Sequence, residues 1–281
     1  PRAGYESTSP VQVFDRESML GDGAKTMTDV AIKLPINVGS EFQNESGGLV
    51  GTSQFNLRGL GLGSTLTLIN GRRGGQSAVA DGGGNQFFDI NQLPMSMIER
   101  VEFLTDGASA VYGSQAVAGV ANIITRSNFE GFEITLGGQT SPSPDVDKKE
   151  IGFAFGSSED GNTKVNIYGG FSQSNRADRT DFDFINERVL GNGDPTQSKT
   201  LSTIGSPGSF RPAITNPETG VIAGTGTFRP DPNCEEAGGV LKAPYCRYSF
   251  ADQVSVIPEE TRIQLLSEFS STLSEKVRLY G

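Results

Sequence analysis

Residues 58–73 read RGLGLGSTLTLINGRR, and the glycines at 59, 61 and 63 look at first like a loop that cradles a phosphate. A dinucleotide site needs such glycines to open directly into a helix, whose first N–H groups face the pyrophosphate. Here Ser64 is followed by Thr65, Leu66, Thr67, Leu68 and Ile69, an alternating and β-branched run. Asn70-Gly71 comes next, the pair best suited to a two-residue hairpin turn. Strand follows the glycines, and no lysine stands where a Walker-type loop needs one. The glycines call for another reason.

The bulk composition agrees with strands and turns. Hydrophobic residues make up 35% of 281, there is no Trp, and Gly reaches 37 with 14 Pro. The net charge is −10 with no basic cluster, which excludes nucleic acid as a partner because clustered Lys and Arg are needed to displace counterions. Histidine is absent, which removes the commonest general base and the commonest metal ligand. Adjacent carboxylates such as Glu235-Glu236 and Glu259-Glu260 lie in loops and do not converge on a substrate, so no enzyme, no cofactor and no metal site is expected. Cys234 and Cys246 suit a small loop closed by a disulfide, implying an oxidising compartment; two unpaired thiols are the alternative. No signal peptide and no 18-residue apolar run is present, so the chain reads as mature or truncated, without a spanning helix.

Around the opening stretch, residues 1–128 read as a small mixed α/β domain. Val11–Phe14 is a short strand, Asp15 caps a helical turn through Leu20, and Thr28 caps a second one that Pro35 ends. Glu99 to Leu104 has the period-two pattern of a strand, Asp106 caps a turn that Gly113 closes, and Val120 to Thr125 is another strand.

From residue 129 a period of two persists. Phe132, Ile134 and Leu136 form one apolar side, as do Ile151, Phe153 and Phe155, then Val165, Ile167 and Phe171, then Ile263, Leu265 and Phe269, with Val277 and Leu279 beginning a fifth run. Runs of roughly 9 to 11 residues suit tilted membrane strands, apolar to lipid and polar to a wet lumen. A soluble antiparallel sheet with one buried face is the alternative. Links at 141–148 and 176–260 read as long, those at 157–162 and 271–275 as short, as in outer-membrane barrels with long exterior loops and short periplasmic turns. The stretch 176–260 reads as a large surface loop in which Phe182, Phe184, Phe210, Phe228, Tyr245 and Tyr248 supply a small core. Five strands cannot close, and an open edge in hydrocarbon is costly, so a fragment of a larger barrel is expected.

The order LRGLGLGSTLTLINGRR, then DINQLPMSMIERVEFLTDGASAVYGSQAVAGVANIIT, strongly resembles the plug domain of TonB-dependent outer-membrane transporters. The resemblance covers about residues 10–126 and is most specific over Ile98–Thr125. It implies a mainly β fold in which a small mixed α/β plug, residues 1–128, sits inside a transmembrane antiparallel β-barrel. Residues 129–281 would begin that barrel, with a long extracellular loop at about 176–260. It further implies import of a scarce or bulky nutrient (a ferric siderophore, carbohydrate, peptide or vitamin) across the bacterial outer membrane. The implied partners are TonB, through a segment upstream of Pro1, outer-membrane lipid, the nutrient itself and, in some arrangements, a surface lipoprotein. A passive porin and a structural or adhesive surface protein are the competing functions. In the plug arrangement, Phe42, Gln43, Asn44, Asp81, Asn85, Gln86, Phe87 and Phe88 are the ligand-facing candidates, with loop anchoring as the other reading of the two phenylalanines. Arg58, Glu99, Arg100 and Glu102 are the expected plug-to-wall polar contacts, since buried charges need partners.

Overall fold

The computed structural model describes residues 11–38, 51–78, 80, 84–105, 108–142, 145–159, 162–187, 191, 194–198, 201–250 and 255–281. The chain divides into two compact units, residues 1–140 with 146–175 and 257–281, and residues 141–145 with 176–256.

In the first unit, the opening strand β1 (Val11–Asp15) leads into helix α1 (Arg16–Gly21), capped by the Asp15 side chain accepting from Ser18 N. Helix α2 (Met27–Lys33) is capped by Thr26, not by Thr28 as expected. Thr26 accepts from Asp29 N while Asp29 accepts from the Thr26 N–H, a reciprocal box that Thr28 has no partner to build. Thr28 is instead buried, with its hydroxyl turned into the plug interior. The run Thr65–Ile69 is strand β2, and Asn70-Gly71 turns it into β3 (Arg72–Arg73). Asn70 and Gly71 both take positive φ, 50° and 78°, as a primed hairpin turn demands. Strands β4 (Ile98–Leu104) and β5 (Gly119–Thr125) flank a short helix α3 (Ser109–Tyr112) that Gly113 ends at φ 86°. Asp106 lies outside the described residues. The five strands form one sheet, β1-β4-β5-β2-β3, with β2 and β5 parallel and their neighbours antiparallel. One face of this sheet, with Val101, Phe103, Ala121 and Ile123, closes on α1, α2 and the segment Phe55–Leu57. Phe103 meets Phe14 and Phe55 edge-on at 5.8 and 5.2 Å.

The wall is a second five-stranded sheet: β6 (Gly131–Pro142), β7 (Asp145–Glu159), β8 (Thr163–Ser174), a fourth strand Glu260–Ser274 and a fifth, Val277–Tyr280. The strands are 12 to 15 residues long in all but the last, longer than the expected runs. The stretch 141–148, read from its Ser/Pro/Asp content as a long link, is mostly strand, because backbone ladder bonds continue past the point where the apolar pattern stops. Register carries one apolar belt across the wall. On the central β8, Phe171 opposes Ile151 on one side and Ile263 on the other, Gly169 opposes Phe153 and Leu265, and Val165 opposes Ser157 and Phe269. Along the fourth strand exposure alternates residue by residue, with Ile263 79% and Leu265 71% exposed while Gln264 and Leu266 are shielded. That alternation is the pattern of a wall with lipid on one side and packed protein on the other. Phe153 lies over Gly169, whose added Cβ would sit 2.0 Å from the ring, so an aromatic covers a glycine on the next strand.

The hydrophobic cluster around Phe103 continues into the wall. Ala154 and Tyr168, inward-facing on β7 and β8 and both fully buried, belong to the same cluster as Met95, Met97 and Ile98. The small N-terminal sheet and the wall are thus one packed body.

The second unit holds the Cys234–Cys246 disulfide. The bridge is set beside a hairpin of Val240–Lys242 with Tyr245–Ser249, and Gly239 leaves room for it, since a Cβ there would lie 2.8 Å from Cys246 Sγ. The aromatic residues expected to form one small core instead pair in separate places: Phe182 with Phe184, Phe228 with Tyr245, and Tyr248 with Phe250, while Phe210 is exposed.

Candidate functional site: the seam between plug and wall

Three groups of polar contacts join the N-terminal sheet to the inward face of the wall. Nearest the short wall turns, the Asn70 side chain grips Thr125, donating to its hydroxyl at 2.7 Å and accepting from its N–H at 3.0 Å. Thr125 Oγ1 in turn donates to Glu268 Oε1 on the fourth wall strand at 2.7 Å. The Arg72 guanidinium stacks 3.8 Å over the Tyr280 ring.

The middle group is centred on Glu133 of β6. Its two carboxylate oxygens accept from Arg16 Nη2 at 2.9 Å and from Arg126 Nη2 at 2.8 Å, so one wall carboxylate holds two guanidinium groups that come from opposite ends of the N-terminal domain. Arg16 also donates to Met95 O at 2.6 Å, and Tyr168 OH and Asn166 Nδ2 donate to Arg126 O at 2.6 and 3.0 Å. Ser96 Oγ donates to Gly169 O at 3.0 Å.

The third group is made by Arg262 and Gln264 of the fourth wall strand. Arg262 donates to Asn91 O and to Gly51 O, each at 2.8 Å, and is itself paired with Glu260; Gln264 also donates to Asn91 O. Behind these carbonyls lies a buried polar knot: Thr28 Oγ1 bonds Ser53 Oγ at 2.8 Å and Asn91 Oδ1 at 2.5 Å, and Asn91 Nδ2 donates to Ser53 Oγ at 3.0 Å. Asp89 accepts from Ser53 N at 3.0 Å and from Asn91 N at 3.1 Å.

Burial raises the Asp89 carboxyl above the ordinary carboxylate value, against the pull of those two backbone N–H bonds. A carboxyl raised in the folded state supports the fold most when protonated, and its contribution declines as pH climbs from the usual range through the raised value. Asp89→Asn is therefore expected to keep the turn and to flatten the decline in stability as pH rises above about 4. Denaturant midpoints of the purified full-length protein from that pH upward check this, and a variant with the wild-type slope would count against it.

The sequence-predicted residues distribute unevenly over this seam. Phe42, Gln43, Asn44 and Asp81 lie outside the described residues. Phe88 is buried in the main core and Phe87 packs on Leu62, so both side chains anchor their segment from beneath, while Asn85 and Gln86 are exposed. Gln86, Phe87 and Phe88 do share the lining of a cavity of about 150 Å³ with Arg73 and Gln115. Of the four residues expected to bridge plug and wall, Arg58 donates to Thr105 O at 2.6 Å and Arg100 pairs with Glu102 at 2.8 Å, both within the N-terminal sheet domain. Arg100 and Glu102 line an open cavity of about 960 Å³ with Lys164, Glu268 and Arg278 of the wall. Glu99 is exposed. The cross-seam ion pairs among the described residues come instead from Arg16 and Arg126 to Glu133, with Lys148 lying 4.0 Å from Asp29. Inward carboxylates of the wall strands, Glu133 and Glu268 among them with Glu150 and Glu260, were the available sequence signal, acidic residues at lumen-facing positions.

The arrangement can hold and release. A seam joined by hydrogen bonds and ion pairs exchanges those bonds for water when it parts, whereas an apolar seam would expose hydrophobic surface.

Comparison with known proteins agrees with this geometry. Residues 4–120 match the family model described as TonB-dependent Receptor Plug Domain. Among solved structures, a mutant of the ferric enterobactin receptor PfeA from Pseudomonas aeruginosa aligns over 97% of this chain and 32% of its own, with 16% identity and a TM-score of 0.59. Another PfeA mutant, in complex with enterobactin, aligns over 96% and 32% with a TM-score of 0.57 at 16% identity. The ferric citrate transporter FecA in its unliganded form aligns over 62% of this chain and 26% of its own, with 23% identity and a TM-score of 0.50. The chain spans about a third of the length of the PfeA structures.

Proposed function

We propose that the protein containing this chain, whose residues 4–120 match the model described as TonB-dependent Receptor Plug Domain, is a receptor that imports a ferric chelate across the bacterial outer membrane, driven through TonB. In this reading residues 1–128 are the plug, residues 129–281 begin the barrel, and about 176–260 is a long exterior loop. The observation that carries the proposal is the plug sheet bonded to the inward face of an apolar-belted wall through Glu133, Glu268 and Arg262. A passive channel has no use for a body filling its lumen, whereas a gated importer needs one that is held firmly and released on demand. The iron-chelate class is supported by two proteins whose structures it resembles, the ferric enterobactin receptor PfeA and the ferric citrate transporter FecA. The chain has no histidine with which to take a bare metal ion. Asn85 and Gln86, with Phe42, Gln43, Asn44 and Asp81, are the proposed plug contacts to arriving ligand, and TonB engages a segment before Pro1.

Uptake of radiolabelled ferric enterobactin and ferric citrate by cells whose sole receptor is the full-length protein tests this. Accumulation of one chelate is expected, with its loss in a strain lacking TonB. Uptake that persists without TonB would establish a passive pore and overturn the coupled reading.

A further inference from the structure

We propose that Arg262 is a latch that holds residues 51–57 and 89–93 of the plug to the wall, and that its release frees these two segments while the plug sheet stays intact. Arg262 is a positioning residue here, acting through backbone carbonyls. Gly51 and Asn91 are 40 positions apart in sequence, and one guanidinium donates to the carbonyl oxygens of both at 2.8 Å. A planar fork can span two acceptors in fixed directions, which a lysine ammonium does less well. Glu260, two residues away on the same face of the strand, keeps the fork aimed inward.

What the latch holds is the least self-sufficient part of the plug. Residues 52–57 are buried yet belong to no sheet, their one backbone bridge being Asn37 to Leu57. Buried backbone outside a ladder depends on side-chain and tertiary partners. Here they are mostly side chains and neighbouring loops: Ser53 N donates to Asp89 Oδ1, Asn56 N to Asn37 Oδ1 and Leu57 N to Thr65 Oγ1, while Ile90 N donates to Ser53 O and Val38 N to Asn56 O. The same segment carries Gln54, 1% exposed, with both amide atoms lacking a hydrogen-bond partner among the described residues. An unsatisfied buried amide favours any state in which it reaches water. By contrast β4 and β5 are paired from Leu104 opposite Val120 to Ile98 opposite Thr125, with one bulge between Ile98 and Arg100. Segments of this kind open locally at lower free energy than a paired sheet.

Hydrogen exchange on the full-length receptor in outer-membrane vesicles, without ligand or TonB, tests the latch separately from the import proposal. Peptides covering 51–57 and 89–93 are expected to exchange about tenfold faster in Arg262→Ala than in wild type, the size of one lost charge-assisted bond. Arg262→Lys should fall between, and peptides covering 98–104 and 119–125 should change by less than about twofold. Unchanged exchange at 51–57 and 89–93 overturns the proposal. So does equal acceleration across the sheet, which would make Arg262 a general stabiliser. Heat-modifiable mobility of each variant confirms a folded barrel, and if Arg262→Ala does not assemble, Arg262→Lys alone carries the comparison.

Discussion

Gly156→Ala is expected to cripple assembly of the receptor, lowering stability by about 4 kcal/mol. Gly156 sits on the inward face of β7 opposite Asn166, where an added Cβ would lie 1.9 Å from the Phe129 carbonyl oxygen and 2.6 Å from its carbon. Both are backbone atoms, so no side chain can swing aside. Overpacking a rigid site costs about 1–3 kcal/mol. Relief here requires shifting the 126–129 connection between plug and wall, whose carbonyls accept from Asn166 and Tyr168; each such bond is worth about 1 kcal/mol. Gly138→Ala on β6 is the control, because its nearest neighbour is Lys148 O at 3.9 Å. Urea midpoints of the two variants by heat-modifiable electrophoresis decide the matter, and a Gly156→Ala barrel as stable as Gly138→Ala would refute the packing described here.

Glu133→Ala is expected to loosen the plug by roughly 2–4 kcal/mol, less than a fully buried pair because the Glu133 side chain keeps partial access to water. The loss is larger than one salt bridge, since Arg16 and Arg126, with side chains 17% and 10% exposed, are left facing each other without their shared anion. Glu133→Gln should cost less, retaining the hydrogen-bond acceptor but not the charge. Adding Arg16→Gln to Glu133→Ala should cost less than the sum of the two, because one of the repelling charges is already gone. Protease sensitivity of the plug in intact barrels reports this, and strict additivity of the two substitutions would show that the residues act independently.

The parts of the fold that the residues announce are those governed by local rules. The Thr65–Ile69 strand with its Asn-Gly turn, the Ile98–Leu104 strand and the Gly113 stop could be read because each depends on a few neighbouring residues. The cap at Thr26 rather than Thr28 was readable too, since only Thr26 has an acidic residue three positions on. Strand ends in the wall were not, because a partner strand can hold polar residues such as Lys148 and Gln173 in register regardless of their hydropathy. The seam was legible only in kind. That charges in a polar interior need partners follows from physics. That Arg16 meets Glu133 across 117 residues of chain is a property of the folded surfaces, and nothing in the local pattern of either segment carries it.

The most direct test is a nitroxide scan along residues 261–269 of the full-length receptor in outer membranes, read by collision with oxygen dissolved in the lipid. Accessibility should peak at 263 and 265 and fall at 262, 264 and 266, where the side chains face the plug. A scan without that two-residue alternation, or with its peaks on the even positions, would contradict a plug held inside a membrane wall.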